Sequence, residues 1–424
     1  MAEVFVSKAN YTDGRDTPLP GRVSSVLTEP IRVGFNARYL RDNNLRGFNR
    51  YTISLLSELR KRPDVHPILF TDQRSPVHPD FVRRLDPEIV TVASASALLW
   101  EQVDLPQALR RHRVDLFHAP ADAGLPAWKT CPSVLTYHHA HDKSFKYQLE
   151  RHRLPGRITD YIETEPGLRG KYSRWRHDIL RRLYLQRADR VITVSEFGKW
   201  ELVSLLNVPE KKVEVIYEAA ESVFDSAVEL ARIERIKAKY GVSGKYILFI
   251  GGFDLRKNVG GLLKAFAEAR RSGIRETLVI AGSGNDRENL RDSLPSFGLQ
   301  DGRDTFFVGR VPGDELPPLY CGATTFVTLS WGEAFCFPLV EAMNCGTPVV
   351  ASSWGAIPEV AGGACILVDP KNPMDAAQAI KRVVCDASLR TQLKEAGLKR
   401  ANFFSWEKTA ERTVRLYRDV LNFT

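Results

Sequence analysis

Two carboxylates, Glu333 and Glu341, flank the start of a short apolar segment in the stretch EAFCFPLVEAMNCGTPVV. The predicted strand TTFVTLS precedes them, and Pro338 and Gly346 are typical of the first turn and the end of a helix. Carboxylates accept hydrogen bonds from paired hydroxyl groups such as those of sugars and ribose. Two explanations stay open: Glu341 complements the helix dipole, or both glutamates bind a ligand at this helix end.

A second group of candidates lies in the loop GGFDLRKN, residues 251–258. The loop follows the predicted strand KYILFI and leads into a helix for which Asn258 is the predicted N-cap. Free N–H groups and the helix dipole make such a point a binding site for anions. Arg256 and Lys257 add positive charges there, which is unfavourable unless an anion binds. The loop therefore favours a phosphate or diphosphate site over a pair of surface charges.

Histidines supply a third candidate site in SVLTYHHAHD, residues 133–142, again after a predicted strand. His138, His139, His141 and Asp142 are residue types that bind metals. A metal site is nevertheless disfavoured, because His138 and His139 are adjacent and no fourth ligand is defined. A histidine that hydrogen-bonds a bound sugar is the preferred interpretation.

Short apolar strands alternate with helical patterns along the chain, which predicts two doubly wound α/β domains with parallel sheets. The first comprises residues 29–222 and the second residues 223–405, with the join near residues 213–226. Residues 406–424 form a terminal helix with no strand after it, which we expect to return to the first domain. Residues 1–28 are interpreted as a flexible polar leader. Ligands of open α/β sheets bind beyond the carboxyl ends of the strands, where all three candidate groups lie.

The composition is that of a globular protein, with 43% hydrophobic and 26% charged residues. The net charge of +9 suggests an anionic partner: a nucleotide, a lipid headgroup or nucleic acid. Residues 143–190 are basic and rich in Arg, Tyr and Trp; a solvated helix pair is preferred slightly over a surface for an acceptor or an anionic membrane. No apolar run approaches the about 20 residues of a membrane helix. The six cysteines, none in a C-x-x-C pair, are expected to be free thiols in a reducing compartment.

Together these motifs resemble the retaining glycosyltransferases of family 4, from about residue 31 to the end of the chain. EAFCFPLVEAMNCGTPVVASSWGAIPEVAGGACILVDP is similar to the E-x7-E signature of that family, and GGFDLRKN to its phosphate-binding loop. RGFNRYTISLL is similar to its N-terminal glycine loop, and VITVSEF to a further block. The resemblance implies the GT-B fold of two facing Rossmann-like domains. The first domain would bind an acceptor and the second a nucleotide sugar.

Carried over position by position, the resemblance implies a role for each matching residue. Lys257 and Arg256 would stabilise the leaving diphosphate, Glu341 would hold ribose hydroxyls, and Glu333 would contact the donor sugar. His138 would lie against that sugar. The implied catalytic residues are Glu333, His138, Lys257 and Arg256. The implied donor-binding residues are Gly47, Gly252, Arg256, Lys257, Glu333, Phe335, Cys336, Phe337 and Glu341.

Five positions depart from the family pattern. Ala334 and Cys336 replace the glycines of a loop that usually reads E-G-F-G, and Cys336 narrows the space beside the sugar. Gly252 stands where an arginine is frequent, and Asn49 where a second glycine is usual. His139 takes the place of an aspartate. These departures are compatible with a changed donor or with a weakened enzyme.

The implied reaction transfers a hexosyl group, of mannose or glucose type, from a GDP- or UDP-linked donor to a glycan or lipid-linked acceptor. The configuration would be retained, and the leaving diphosphate would take the acceptor proton. No metal or other cofactor is expected, because Lys257 and Arg256 supply the positive charge. The expected location is cytoplasmic, with peripheral contact at the inner face of an anionic membrane as an option. The alternatives are a non-catalytic GT-B relative that binds a nucleotide sugar or a protein partner, and a nucleic-acid binder, which rests on charge alone and is rejected.

Overall fold

The computed structural model describes residues 29–41, 47–138, 179–284 and 286–422. Within these ranges, thirteen strands form two separate sheets, and every strand pair is parallel. Most strand residues are buried, as expected for parallel sheets with helices on both faces. The predicted leader and most of the predicted basic segment lie outside the described residues.

The first sheet has seven strands in the order β3-β2-β1-β4-β5-β6-β7. They are Ile31–Asn36 (β1), Val65–Thr71 (β2), Glu88–Thr91 (β3), Leu116–Ala119 (β4), Ser133–Thr136 (β5), Arg190–Thr193 (β6) and Val213–Val215 (β7). The named α-helices of this half are Gly47–Leu59 (α1), Pro79–Leu85 (α2), Leu105–Arg111 (α3) and Glu196–Trp200 (α4). The strand order reverses at β1 and β4, which creates the crevice where ligands bind to such sheets.

The second sheet has six strands in the order β10-β9-β8-β11-β12-β13. They are Tyr246–Ile250 (β8), Thr277–Ala281 (β9), Thr305–Gly309 (β10), Thr325–Thr328 (β11), Val349–Ser352 (β12) and Ile366–Val368 (β13). The helices of this half are Leu230–Lys239 (α5), Val259–Arg271 (α6), Arg287–Ser293 (α7), Leu316–Gly322 (α8), Phe337–Asn344 (α9), Ile357–Ala361 (α10), Pro373–Cys385 (α11) and Ala387–Ala401 (α12). Its order reverses at β8 and β11, directly beside the two loops that carry the predicted donor residues.

The last helix, Trp406–Asn422 (α13), packs on the first sheet's half of the molecule. The hydroxyl of Tyr417 lies 2.6 Å from Nδ1 of the buried His118, which belongs to β4. The rings of Trp406 and Tyr51, the latter on α1, are 5.9 Å apart. The predicted architecture of two Rossmann-like α/β sheets with a C-terminal helix that crosses back is therefore confirmed. The domain boundaries at residues 222 and 405 stay predictions.

Two local predictions need correction. Residues 213–215, interpreted as part of the join, form the edge strand β7. Asn258 precedes α6, but its side chain does not cap that helix. The residue adopts a left-handed backbone with φ 52°, and its Nδ2 donates to the carbonyls of Leu329 (3.0 Å) and Pro370 (3.1 Å). Asn258 therefore ties the loop after β8 to the loops after β11 and β13.

Among the described residues, no helix has both the length and the apolar character needed to cross a membrane. The six cysteines all fall within the described ranges, and none forms a disulfide.

Candidate active site

Loops that follow β8, β11 and β12 meet beyond the carboxyl ends of these strands. The amide of Trp331 donates to the carbonyl of Arg256 (2.8 Å), and the amide of Ala356 donates to the carbonyl of Glu333 (3.0 Å). Gly355 has φ 66°, and a Cβ atom at this position would lie 2.8 Å from the backbone nitrogen of Glu333. Only glycine fits this close approach, so the sequence of the β12 loop fixes where Glu333 lies.

Glu333 is the centre of a buried ion cluster. Lys257 Nζ lies 2.6 Å from its Oε1, and Arg256 Nη1 lies 2.9 Å from its Oε2. Arg256 Nε also lies 3.4 Å from Asp254 Oδ1. Burial alone would raise the pKa of Glu333, but the charges of Lys257 and Arg256 outweigh it and lower the pKa to about 2. Glu333 thus neutralises Arg256 and Lys257 in the free protein, and the phosphate or diphosphate site at these residues stays a prediction.

The loop from Glu333 to α9 brings the other predicted residues of this segment together. Cys336 has φ 80°, in the left-handed region where glycine is normally found. The ring of Phe335 packs edge-on against Phe337, with centroids 5.7 Å apart. Phe337 opens α9, and a Cβ atom on Gly47 would lie 3.9 Å from its ring. The glycine at the start of α1 therefore lies opposite the helix end that the sequence predicted as a phosphate site.

Gly252 lies at the other end of the cluster. A Cβ atom at this position would meet Asp254 Oδ2 at 3.0 Å. Position 252 carries no side chain, and the guanidinium beside Asp254 is that of Arg256, whose Nε lies 3.4 Å from Asp254 Oδ1. That Arg256 takes the place of the arginine that is frequent at position 252 stays a prediction.

Glu341 is only 1% exposed and does not face open solvent in this state. The hydroxyl of Tyr320 donates to its Oε2 (2.8 Å). Its Oε1 lies 2.5 Å from Nη2 of Arg50, which comes from α1 in the other half of the molecule. Arg50 Nε is 3.3 Å from Glu221 Oε1. The carboxylate expected to hold ribose is therefore occupied by a salt bridge between the two halves.

His138 lies at the carboxyl edge of the first sheet, after β5, and is nearly buried. Its amide donates to Asp122 Oδ1 (2.6 Å), and its Nε2 lies 3.1 Å from the carbonyl of Pro120. Its Nδ1 lies 3.3 Å from Glu218 Oε1. Burial opposes a charged ring, but the hydrogen bond and charge of Glu218 raise the pKa of His138 above its ordinary value. Both ring nitrogens thus face oxygen atoms of the protein, and burial raises the pKa of the partner Glu218 as well.

The structure thus brings seven predicted residues into one region: Arg256, Lys257, Glu333, Phe335, Cys336, Phe337 and, across the cleft, Gly47. His138 and Glu341 join separate ion pairs at the same interface. Sequence reasoning missed Arg50 and Glu218. Arg50 follows Gly47 by three positions in the glycine loop, and Glu218 follows a strand that was interpreted as the join.

Metal ligation has no support in the described part of the chain, where no group of three or more His, Cys, Asp or Glu side chains is arranged to hold an ion. Of the four residues in the predicted histidine cluster, only His138 is described.

A cavity of about 500 Å³ opens in the first half, beyond the carboxyl ends of β1 and β4. Phe48 and Asn49 line it, and they directly follow Gly47, so the cavity adjoins the region around Phe337. Its other lining residues include Asn36, Arg38, Tyr39 and Glu101. Aromatic rings, amides and charged groups together are suited to bind a polar ligand with many hydroxyl groups.

Residues 45–221 match the model of Glycosyltransferase Family 4, and residues 232–400 match that of Glycosyl transferases group 1. The chain is 34% identical over 237 residues to the O-antigen chain mannosyltransferase B of Escherichia coli, covering 55% of this chain and 61% of that protein. It is 31% identical over 254 residues to a D-inositol 3-phosphate glycosyltransferase of Nocardioides, covering 55% of this chain and 54% of that one. These matches therefore span little more than half the length of the relatives.

Solved structures extend the likeness to nearly the whole chain. Sucrose-phosphate synthase from Thermosynechococcus elongatus superposes with a TM-score of 0.70 at 20% identity, covering 93% of this chain and 99% of that one. Anabaena Alr3699/HepE in complex with UDP and glucose gives 0.69 at 16% identity, covering 92% and 100%. At such identities the likeness concerns the fold. Two parallel α/β sheets, a returning C-terminal helix and two family models that match consecutive halves lead to one conclusion: the chain belongs to glycosyltransferase family 4, the group 1 glycosyl transferases, and has the GT-B fold.

Proposed function

We propose that the protein is a retaining glycosyltransferase that moves a hexosyl group from a nucleotide diphosphate sugar to a glycan or a lipid-linked acceptor. A mannose- or glucose-type donor linked to GDP or UDP is favoured. The relative from Escherichia coli bears the name of a mannosyltransferase, and the Anabaena protein was solved with UDP and glucose. Both facts support this class of donor.

The observation that carries the proposal is the cluster of Lys257, Arg256 and Glu333 beside the start of α9. Two fixed cations and the positive end of a helix dipole suit a diphosphate whose charge increases as the bond to the sugar breaks. Glu333 stays ionised because its pKa is about 2. It holds both cations in place until the donor arrives, and it then accepts hydrogen bonds from donor hydroxyls.

His138 acts in this scheme as a positioning residue. Its two ring nitrogens face Glu218 and the carbonyl of Pro120, so neither is directed at the hydroxyl group of an acceptor. The proton of the acceptor hydroxyl therefore passes to the leaving diphosphate oxygen. A new bond forms from the acceptor oxygen to the anomeric carbon, and the bond from that carbon to the diphosphate breaks on the same face.

The acceptor side is assigned to the cavity next to Phe48 and Asn49. It is large enough for one sugar ring, and it lies in the half of the molecule opposite the cation cluster. Cytoplasmic location and peripheral contact with an anionic membrane stay predictions, because the basic segment on which that contact depends is mostly outside the described residues.

Calorimetric titration with UDP, GDP and ADP tests the donor assignment, with Lys257→Ala as the variant. We expect tight binding of one nucleotide by the wild type. The affinity of the variant for that nucleotide should be lower by about 10²-fold or more, since a charged partner of the diphosphate is removed. A radiolabelled sugar linked to that nucleotide then tests transfer, and the anomeric configuration of the product tests retention. Transfer that is unchanged by EDTA would support catalysis by Lys257 and Arg256 without a metal.

The competing function is a non-catalytic relative that binds a nucleotide sugar or a protein partner. The replacement of two loop glycines by Ala334 and Cys336 favours it. Binding of a nucleotide sugar with neither transfer nor hydrolysis, across a panel of glycan and lipid-linked acceptors, would support this alternative. Absence of any nucleotide binding would contradict the donor assignment and favour the relative that binds a protein partner, which a pull-down then tests.

A further inference from the structure

Arg50 joins the two halves of the protein at the point where the nucleotide is expected. It lies in the first turn of α1, three residues after Gly47, and its side chain is 15% exposed. Its guanidinium contacts Glu341 (2.5 Å) and Glu221 (3.3 Å). It also lies over the ring of Phe337, 4.7 Å from the centroid. One cation of the first half thus contacts both the predicted ribose carboxylate and the residue that opens α9.

In this state, Glu341 is 1% exposed and both of its oxygens face protein groups, so a ribose cannot reach it. Tyr320 donates to Oε2, and Arg50 covers Oε1. A ribose that hydrogen-bonds Glu341 must therefore move Arg50 aside. The ribose hydroxyls are neutral, so they do not replace the charge that Glu341 provides for the guanidinium. Glu221 would then be the one remaining anion described beside this buried guanidinium, and the loss of the closer partner Glu341 would be costly.

The diphosphate of the same ligand supplies the missing anion. Arg50 already lies over Phe337, the first residue of α9, where the helix dipole favours a negatively charged group. Its planar fork suits two phosphate oxygens. Glu221 contacts the Nε of Arg50 and keeps the base of the fork in place while its end moves.

We propose that Arg50 is a donor-site residue supplied by the first half: it occupies Glu341 in the free protein and transfers to the donor diphosphate when ribose binds Glu341. This inference rests on the proposed function. If Arg50 moves in this way, the contact between the two halves in the bound protein depends on the phosphates. A ligand with ribose alone would release Arg50 from Glu341 without giving it a new partner.

The test compares a nucleoside diphosphate with its nucleoside, using UDP and uridine or GDP and guanosine. In Arg50→Met, the diphosphate loses a cation and we expect about tenfold weaker binding of UDP or GDP. The nucleoside no longer competes with the guanidinium for Glu341, so its binding becomes severalfold stronger. Opposite signs for the two ligands are the specific expectation, because a general disturbance of the site weakens both.

Arg84→Met is the matched control. Arg84 also pairs with Glu221 (3.2 Å), but no contact links it to Glu341 or Phe337. We expect unchanged affinity for both ligands. The inference is overturned if Arg50→Met binds the diphosphate as the wild type does, or if it weakens nucleoside and diphosphate equally. If the wild type binds no nucleotide, the proposed function fails first and this inference fails with it.

A charge-balanced pair of variants guards against misfolding of Arg50→Met, which leaves Glu341 buried beside Tyr320 alone. Glu341→Gln is compared with Arg50→Met/Glu341→Gln, so that neither variant contains an unpaired buried carboxylate. A further loss of about tenfold in UDP or GDP affinity in the double variant supports the contact with the diphosphate. Equal affinities of the two variants would overturn it.

Discussion

Replacing Cys336 by glycine is expected to give a more stable protein than replacing it by alanine. Cys336 has φ 80° and ψ 70°, in the left-handed region that a side chain with a Cβ atom rarely adopts. The residue is buried, at the tip of the loop between Glu333 and α9. The family pattern has glycine here, and the structure keeps the backbone that glycine would adopt. The side chain therefore imposes strain on a backbone that the loop requires.

The size of the effect follows from two opposed contributions. An L-residue in the left-handed region costs about 1–2 kcal/mol, which glycine relieves. Glycine also increases the conformational entropy of the unfolded chain, which costs about 0.5–1 kcal/mol relative to alanine. Both variants lose the same thiol, so its burial cancels from the comparison. The difference left is about 1 kcal/mol in favour of Cys336→Gly.

Thermal and urea unfolding of the two variants measure this difference. About 1 kcal/mol corresponds to about 2–4 °C in Tm for a unit of 150–250 residues, the size of one half of this chain. Donor binding provides a second readout: if Cys336 narrows the space beside the sugar, Cys336→Gly accepts donors at least as well as the wild type. Equal stability of the two variants, or a more stable Cys336→Ala, would show that the backbone at this position is not left-handed.

Three further predictions concern buried polar groups. Lys257→Met removes one of the two cations that pair with Glu333 and is expected to lower the free energy of unfolding by about 1.5–3 kcal/mol, the value of a hydrogen bond to a charged group, because Arg256 remains; adding Glu333→Gln should restore part of it, and failure to do so in urea titrations would contradict the ion cluster. Burial lowers the pKa of His118 to about 3, so the folded protein does not take up the proton that the unfolded chain binds below about pH 6.5. The free energy of unfolding then decreases as the pH falls from 6.5 towards 3. Between pH 7 and pH 5 it should decrease by about 2 kcal/mol less in His118→Gln than in the wild type. Equal decreases in the two proteins, measured by urea unfolding at each pH, would refute this. The carboxylate of Glu359 accepts hydrogen bonds from the amides of Glu196 (2.7 Å) and Phe197 (3.0 Å) in the other half. Glu359→Ala should lower the free energy of unfolding by about 1–3 kcal/mol and separate the calorimetric transitions of the two halves. Glu359→Gln keeps one acceptor oxygen and should have a smaller effect on both.

Strands with continuous apolar runs were predictable because burial on both faces leaves a strong pattern. YILFI, TLVIA and RVIT are examples, and each forms a strand close to its expected bounds. The strand at residues 213–215 was missed because it has three residues, lies at the sheet edge and contains a glutamate. Its identification matters for the site, since Glu218 follows it and pairs with His138.

The residue types of the candidate site were also readable from sequence, but their partners were not. Two cations at a helix start suggested a phosphate or diphosphate site, which stays a prediction. Their partner within the protein is Glu333, which lies in the loop after another strand. Asn258 is a second example. An amide side chain before a helix suggests an N-cap, but its Nδ2 donates hydrogen bonds to the carbonyls of Leu329 and Pro370.

By itself, the sequence determined the alternation of strands and helices, the two-sheet architecture, and the loops at which charged side chains gather. These features depend on local periodicity and on the rule that ligands of parallel sheets bind at the carboxyl ends of strands. Only the tertiary structure decided which charges neutralise one another. The pairing of Arg50 with Glu341, and of His138 with Glu218, joins residues that are far apart in the chain. Such pairs form because a buried charge is stable only beside an opposite one, and folding, not spacing, chooses the neighbour.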